Sequence, residues 1–152
     1  MKRAKFLWPL TQGHHHGLMA SLNIRDRLQA DPTDASLAEE VRVFQGDDLE
    51  PHFQAEEDLL DELAERWGSN DEDLVRTRRE HAELKALSSS GTAQDLLCFG
   101  DLLGRHIRYE EEVLFARFEG ALTEEESRRW GERFQKAVSS DPKFPRRHKP
   151  GA

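Results

Sequence analysis

The pattern His-x-x-x-Glu occurs twice in this chain, as His52-Phe53-Gln54-Ala55-Glu56 and as His106-Ile107-Arg108-Tyr109-Glu110. Four residues make about one helical turn, so each pair sets an imidazole and a carboxylate on one helix face. Both pairs fall inside an apolar stripe. The first continues Leu37, Val41, Phe44 and Leu49 and runs on to Leu59, Leu63 and Trp67. The second continues Leu96, Phe99 and Leu103 and runs on to Val113. His81 sits between Leu74 and Leu84, and the run His14-His15-His16 precedes Leu18, Met19 and Leu22 at helical steps. Ionisable side chains at positions otherwise apolar oblige the fold to compensate them.

The periodicity predicts an all-α chain of five helices. The first runs from about Thr11 to about Leu28, ended by Ala30-Asp31-Pro32. The second spans Ser36 to Trp67, stopped by Gly68-Ser69-Asn70, and Pro51 is expected to bend it just before His52. The third covers about Asp71 to Leu87, closed by Ser88-Ser89-Ser90-Gly91, and the fourth about Thr92 to Phe118. The short fifth, Thr123 to Val138, opens on Thr123-Glu124-Glu125-Glu126, a capping-box pattern. Short connections between long helices imply an up-down-up-down four-helix bundle over residues 1–138, including the fifth helix. Residues 139–152, with three prolines and a local charge of +3, read as a disordered basic tail.

Charge narrows the function. Residues 31–73 carry sixteen Asp/Glu against only Arg42 and Arg66, a local balance of −14. Phosphate backbones demand clustered Lys/Arg, so nucleic acid is not expected as a partner. The acidic run reads as a solvated helix face. The single cysteine, Cys98, excludes an intrachain disulfide and a cysteine zinc cluster, and Leu96-Leu97-Cys98-Phe99 suggests a buried, inert thiol. Met1 to Leu10 is basic with a broken apolar stretch, and no run reaches membrane-spanning length. A cytoplasmic protein without a membrane role is the expectation.

Depth along the helices tests whether the histidines share one level. At a rise of ~1.5 Å per residue, His15 lies about 20 Å and His52 about 24 Å from the first connection. From the second, Glu56 lies about 17 Å and His81 about 15 Å. The third connection agrees less well, with His81 about 10 Å and His106 about 20 Å away. Two carboxylates and four imidazoles buried together cost several kcal/mol per charged group unless cations compensate them. The candidate metal ligands are His15, His52, Glu56, His81, His106 and Glu110. His15 is preferred to His14 and His16 because the Leu18/Met19/Leu22 stripe points nearest to it. A nitrogen and oxygen donor set without thiolate suits iron, with manganese or zinc as substitutes. A Glu one turn from each His fits a dinuclear centre.

Taken in order, H, HxxxE, H, HxxxE resembles the hemerythrin-like proteins, also called the HHE cation-binding family. The resemblance covers Pro9 to Phe118, including Glu50-Pro51-His52-Phe53 and His106-Ile107 before Glu110-Glu111. It implies a four-helix bundle around two non-haem irons, bridged by two carboxylates and an oxygen species. His15, His52, His81 and His106 would be terminal ligands, and Glu56 and Glu110 would bridge. There are departures. Oxygen carriers of the family place a second histidine one turn from the third-helix ligand, where this chain has Thr77 and Lys85. They also place an Asp five residues after the last histidine, where this chain has Glu110 at four and Glu111 at five.

The resemblance therefore implies handling or sensing of oxygen, nitric oxide or redox signals, rather than reversible oxygen carriage. A di-iron enzyme acting on peroxide or nitric oxide is a second reading, as is an iron donor for cluster repair. Cluster-repair relatives often carry a cysteine-bearing N-terminal module, and this chain has none. A third reading is a regulatory bundle with a structural metal and the basic tail as its contact arm, its protein partner unspecified.

Overall fold

The structure, a computed structural model, describes residues 3–138. Among them the regular elements are all helical. The tail expected from residue 139 lies outside the described residues.

Helix α1 (Trp8–Ala30) starts three residues before Thr11. Pro9 occupies its first turn, where a missing N–H costs nothing, and a 3-10 turn, Lys5–Leu7, leads into it. Helix α2 (Ala35–Phe44) is capped by Asp34, whose carboxylate accepts from the Ser36 N–H at 3.2 Å. A π-helical turn, Gln45–Leu49, passes directly into α3 (Glu50–Trp67), and the Glu50 N–H reaches back to the Gln45 carbonyl. The helix thus absorbs Pro51 by widening in the turn before it.

Helix α4 (Glu72–Ser90) is capped by Asp71, which accepts from the Asp73 and Leu74 N–H groups. It runs on through Ser88-Ser89-Ser90, expected to be loop. The Ser88 and Ser89 hydroxyls donate back to the Lys85 carbonyl, which keeps serine compatible with a helix. Gly91 ends it at φ 77, and Gly68 ends α3 at φ 92, backbone that side-chain-bearing residues rarely adopt.

Helix α5 (Ala93–Tyr109) enters a second π-helical turn, Glu110–Leu114, before α6 (Phe115–Ala121). Helix α7 (Glu124–Ala137) has the expected capping box. Thr123 Oγ1 accepts from the Glu126 N–H at 3.2 Å, and Glu126 accepts from the Thr123 N–H at 3.0 Å.

The core falls into two apolar clusters. One joins Ile24, Leu28, Val41, Phe44, Leu84, Phe99 and Leu103. The other joins Leu7, Leu10, Leu59, Leu63, Leu74, Phe115, Phe118 and Phe134. Each helical run crosses between them at its histidine. The α1 run passes from the second cluster, by His14, to the first. The α2–α3 run passes the opposite way by His52, α4 passes as α1 does by His81, and the α5–α6 run as α2–α3 does by His106. Helix α7 packs on α3 and α1, burying Trp130 and Phe134.

Helix α1 does not bury the expected stripe. Met19 and Leu22 are exposed, and the inward positions are Leu10, His14, Gly17, Ala20, Ile24 and Leu28. Small residues line that face because α5 comes close: Ser21 Oγ donates to the Gly100 carbonyl at 2.5 Å. A Cβ on Gly17 would lie 2.6 Å from Ile107 Cδ1. Close approach of the backbones substitutes here for bulky side chains. Cys98 also departs from expectation, for it is exposed. Leu97 beside it is exposed too, whereas Leu96 and Phe99 take the inward places.

Candidate metal centre

Between the two apolar clusters lies a layer of buried ionisable side chains: His14, His52, Glu56, His81, His106 and Glu110. Five of these are the residues expected from the sequence. The sixth is a correction. His15 is exposed, and His14 takes the inward position on α1. The stripe itself misleads, for Leu18 is half-buried against the first cluster but Met19 and Leu22 lie on the exposed side, and His15 goes with them.

The six side chains form two groups. His14, His52, Glu56 and Glu110 make the first, and Glu56, His81, His106 and Glu110 the second. In each group the potential ligand atoms lie within 4.8 Å of one another, so either group could hold a metal ion. Both contain both carboxylates, which turn one oxygen to each side. Glu56 Oε2 lies 3.4 Å from His52 Nε2 and 3.9 Å from His14 Nε2, and its Oε1 lies 3.3 Å from His81 Nε2. Glu110 Oε1 lies 2.8 Å from His14 Nε2, and its Oε2 lies 3.3 Å from His106 Nε2 and 3.9 Å from His81 Nε2.

The outer ring nitrogens fix which atoms face inward. His14 Nδ1–H donates to Glu111 at 2.6 Å, His81 Nδ1–H to Glu57 at 2.8 Å, and His106 Nδ1–H to Glu80 at 2.9 Å. A neutral imidazole with its proton on Nδ1 presents a lone pair at Nε2, which is what a cation requires. Glu111 also accepts from Thr11 Oγ1 and pairs with Arg3, and Glu80 pairs with Arg76. Phe53 stacks on His81 with ring centroids 3.9 Å apart, and Phe115 on His14 at 5.0 Å. Apolar walls thus hold two of the four rings.

The inward atoms are left wanting. Among the described residues, His52 Nε2, His81 Nε2, His106 Nε2, both Glu56 oxygens and Glu110 Oε2 are buried without a hydrogen-bond partner. Each such atom costs about 1–3 kcal/mol, and several share one small volume. Bound cations satisfy all of them at once, so the donor set fits a metal centre.

Without metal, the site holds protons instead. Burial disfavours a charged His14, but hydrogen bonds to Glu110 and Glu111 and the field of Glu110 outweigh it, raising the group to about 9. His106 is likewise opposed by burial and carried up to about 10 by Glu110 and Glu80. His81 moves up under Glu56 and Glu57, again against burial. Burial would raise Glu110, yet the adjacent His106 and His14 hold it well below the usual carboxylate range.

Two further sequence expectations resolve here. Thr77 is fully buried one turn before His81, its hydroxyl beside that of Tyr109 but outside hydrogen-bond geometry. Lys85 is solvent-facing and pairs with Glu50 at 3.5 Å. The mismatch in depth between His81 and His106 shrinks because α4 runs three residues beyond Leu87, and the two rings lie 4.8 Å apart. Glu57, Glu80 and Glu111, which sequence reasoning passed over as histidine partners, left one readable signal. Glu57 and Glu111 each directly follow the carboxylate of a His-x-x-x-Glu pair.

Comparison of the chain with protein-family models, curated proteins and solved structures found no match in any of the three. No helix among the described residues is long and apolar enough to cross a membrane.

Proposed function

We propose that this chain is a hemerythrin-like, HHE-type cation-binding protein that holds two non-haem irons in its core. Its role on this reading is to handle or sense oxygen, nitric oxide or a redox signal. The observation that carries the reading is the pair of buried donor groups sharing both Glu56 and Glu110. The alternating order in which the α1, α2–α3, α4 and α5–α6 runs cross the two clusters supports an up-down-up-down four-helix bundle. The donor set of imidazole and carboxylate, without thiolate, favours iron, with manganese or zinc able to substitute.

Bound irons would supply Lewis acidity and one-electron chemistry toward a small diatomic ligand. The chain's own residues do the rest. His14 and His52 would serve one metal, His81 and His106 the other, and Glu56 and Glu110 both. Phe53 and Phe115 keep water from two ring faces. Glu80 accepts the His106 Nδ1 proton and fixes that ring. Thr77, in place of the carriers' extra imidazole, leaves the donor set one nitrogen short at the His81 side. That shortfall favours reactivity over reversible carriage, and it is the observation behind the second reading, an enzyme turning over peroxide or nitric oxide.

Elemental analysis with an absorption spectrum of freshly purified protein tests the proposal. Two irons per chain and a near-ultraviolet charge-transfer band are expected, both abolished by Glu110→Ala. Stoichiometric zinc and no iron from iron-replete cells would overturn the iron assignment. Steady-state turnover of peroxide or nitric oxide separates enzyme from sensor.

A further inference from the structure

The two halves of the site are built on one plan. His52-Phe53-Gln54-Ala55-Glu56-Glu57 and His106-Ile107-Arg108-Tyr109-Glu110-Glu111 share the pattern His-x-x-x-Glu-Glu. In each half, the first Glu lies near its own histidine, at 3.4 Å in one and 3.3 Å in the other. It also reaches across to one histidine of a neighbouring helix, His81 at 3.3 Å from Glu56 and His14 at 2.8 Å from Glu110. The second Glu of the same half then grips the far side of that same ring. Glu57 accepts from His81 Nδ1–H at 2.8 Å and Glu111 from His14 Nδ1–H at 2.6 Å. Two adjacent carboxylates therefore clasp one imidazole between them, one at each nitrogen. The duplication stops there. Glu80, which precedes His81 and holds His106, corresponds to Gly13, which precedes His14.

From this crossed arrangement we infer that Glu57 and Glu111 are positioning residues, each governing a different one of the two metal positions. Glu57 aims His81 at the position it shares with His106, and Glu111 aims His14 at the position it shares with His52. This rests on the two-metal reading above. Neither carboxylate is itself a ligand, for each meets its histidine at the outer ring nitrogen and not on the inward side. Both side chains are partly exposed, 34% for Glu57 and 27% for Glu111, so the clasp is closed from the surface of the molecule. Removing an outer carboxylate weakens the tautomer and orientation of the ring, which costs about ten- to hundredfold in metal affinity.

The test is the release of iron from the full chain, loaded anaerobically with iron(II) and mixed with excess ferrous chelator. In Glu57→Ala, one of the two irons is expected to leave about ten- to hundredfold faster while the other keeps its wild-type rate. Glu111→Ala gives the same split, and the double variant releases both irons fast, because the two substitutions act on different positions. Glu57→Gln and Glu111→Gln retain an acceptor for Nδ1–H and recover most of the wild-type rate. Melting of the metal-free variants reads folding separately and stays within a few degrees of wild type. Wild-type release from both single variants would overturn the inference. Equal acceleration of both irons by one substitution, without rescue by Gln, would overturn it too. Failure of the wild type to take two irons would overturn the metal reading itself, and the inference with it.

Discussion

Gly13→Ala probes the site with a single methyl group. An ideal Cβ at Gly13 would stand 2.8 Å from His52 Nδ1 and 3.1 Å from its Cε1, with Val138 Cγ1 at 3.9 Å. Ordinary contact begins at about 3.4 Å, so the His52 ring must retreat by about 0.6 Å. Metal–ligand distances tolerate only about ±0.2 Å, so such a shift takes Nε2 out of bonding range. Alanine in a helix interior is otherwise favoured over glycine by roughly 0.8–1 kcal/mol. Any net loss therefore reports the collision. Overpacking of about 1–3 kcal/mol, less that gain, leaves a net loss of up to about 2 kcal/mol and a melting point up to about 8 °C lower, at ~2–4 °C per kcal/mol for a chain of this size. Chelator competition should show weaker binding at the His14/His52 position by at least about tenfold. Gly46→Ala is the control, since nothing lies within 4 Å of its Cβ. A Gly13→Ala protein more stable than wild type, with undiminished metal affinity, would refute the reasoning.

Three other outcomes are expected. His14→Ala removes metal from the first group, whereas His15→Ala leaves metal content unchanged, because His15 faces solvent; elemental analysis of the two variants side by side decides it. Gly17→Ala places a Cβ 2.6 Å from Ile107 Cδ1, and should lower stability by about 1–3 kcal/mol without changing metal stoichiometry, as urea unfolding would show. For pH, His14 at about 9 and His106 at about 10 bind protons more tightly in the folded chain than at their ordinary 6.5. Their contribution to the metal-free protein is therefore full below pH 6.5 and lost as pH rises through 9 to 10. The urea midpoint of metal-free protein should fall across that window, while metal affinity climbs, since each imidazole must shed its proton to bind. A midpoint independent of pH from 6.5 to 10 would contradict the proton-for-metal exchange.

Much of the α2–α3 run was legible because bulky residues mark its inner face. Leu37, Val41, Phe44, Leu49, His52, Glu56, Leu59 and Leu63 are all buried as expected, and only Trp67 is half-exposed. The five-residue step from Phe44 to Leu49 in that stripe is the trace of the π-helical turn. A matching turn after Glu110 left no such mark, since no proline announces it. It rotates the following residues, so Leu114 and Phe115 point inward and Val113, expected in the core, is exposed. Helix α1 was least legible. Its inner face is written in small residues, Gly17 against Ile107, Ala20, and half-buried Ser21 beside Gly100 and Gly104, whose placement reflects the nearness of α5 rather than their own hydrophobicity. That is why His14 was passed over for His15. The buried histidines on α3, α4 and α5 were readable as candidates because a histidine in a leucine stripe stands out among apolar neighbours. Their outer carboxylates were not, because a surface glutamate on a helix is too common to stand out.

X-ray absorption at the iron edge of the loaded protein reads the proposed dinuclear core itself. The expected spectrum has a first shell of nitrogen and oxygen only, imidazole scattering beyond it, and a second iron at short range, the last lost in Glu56→Ala. Sulfur in the first shell, or iron without an iron neighbour at full loading, would contradict a core in which Glu56 and Glu110 each serve two metal positions.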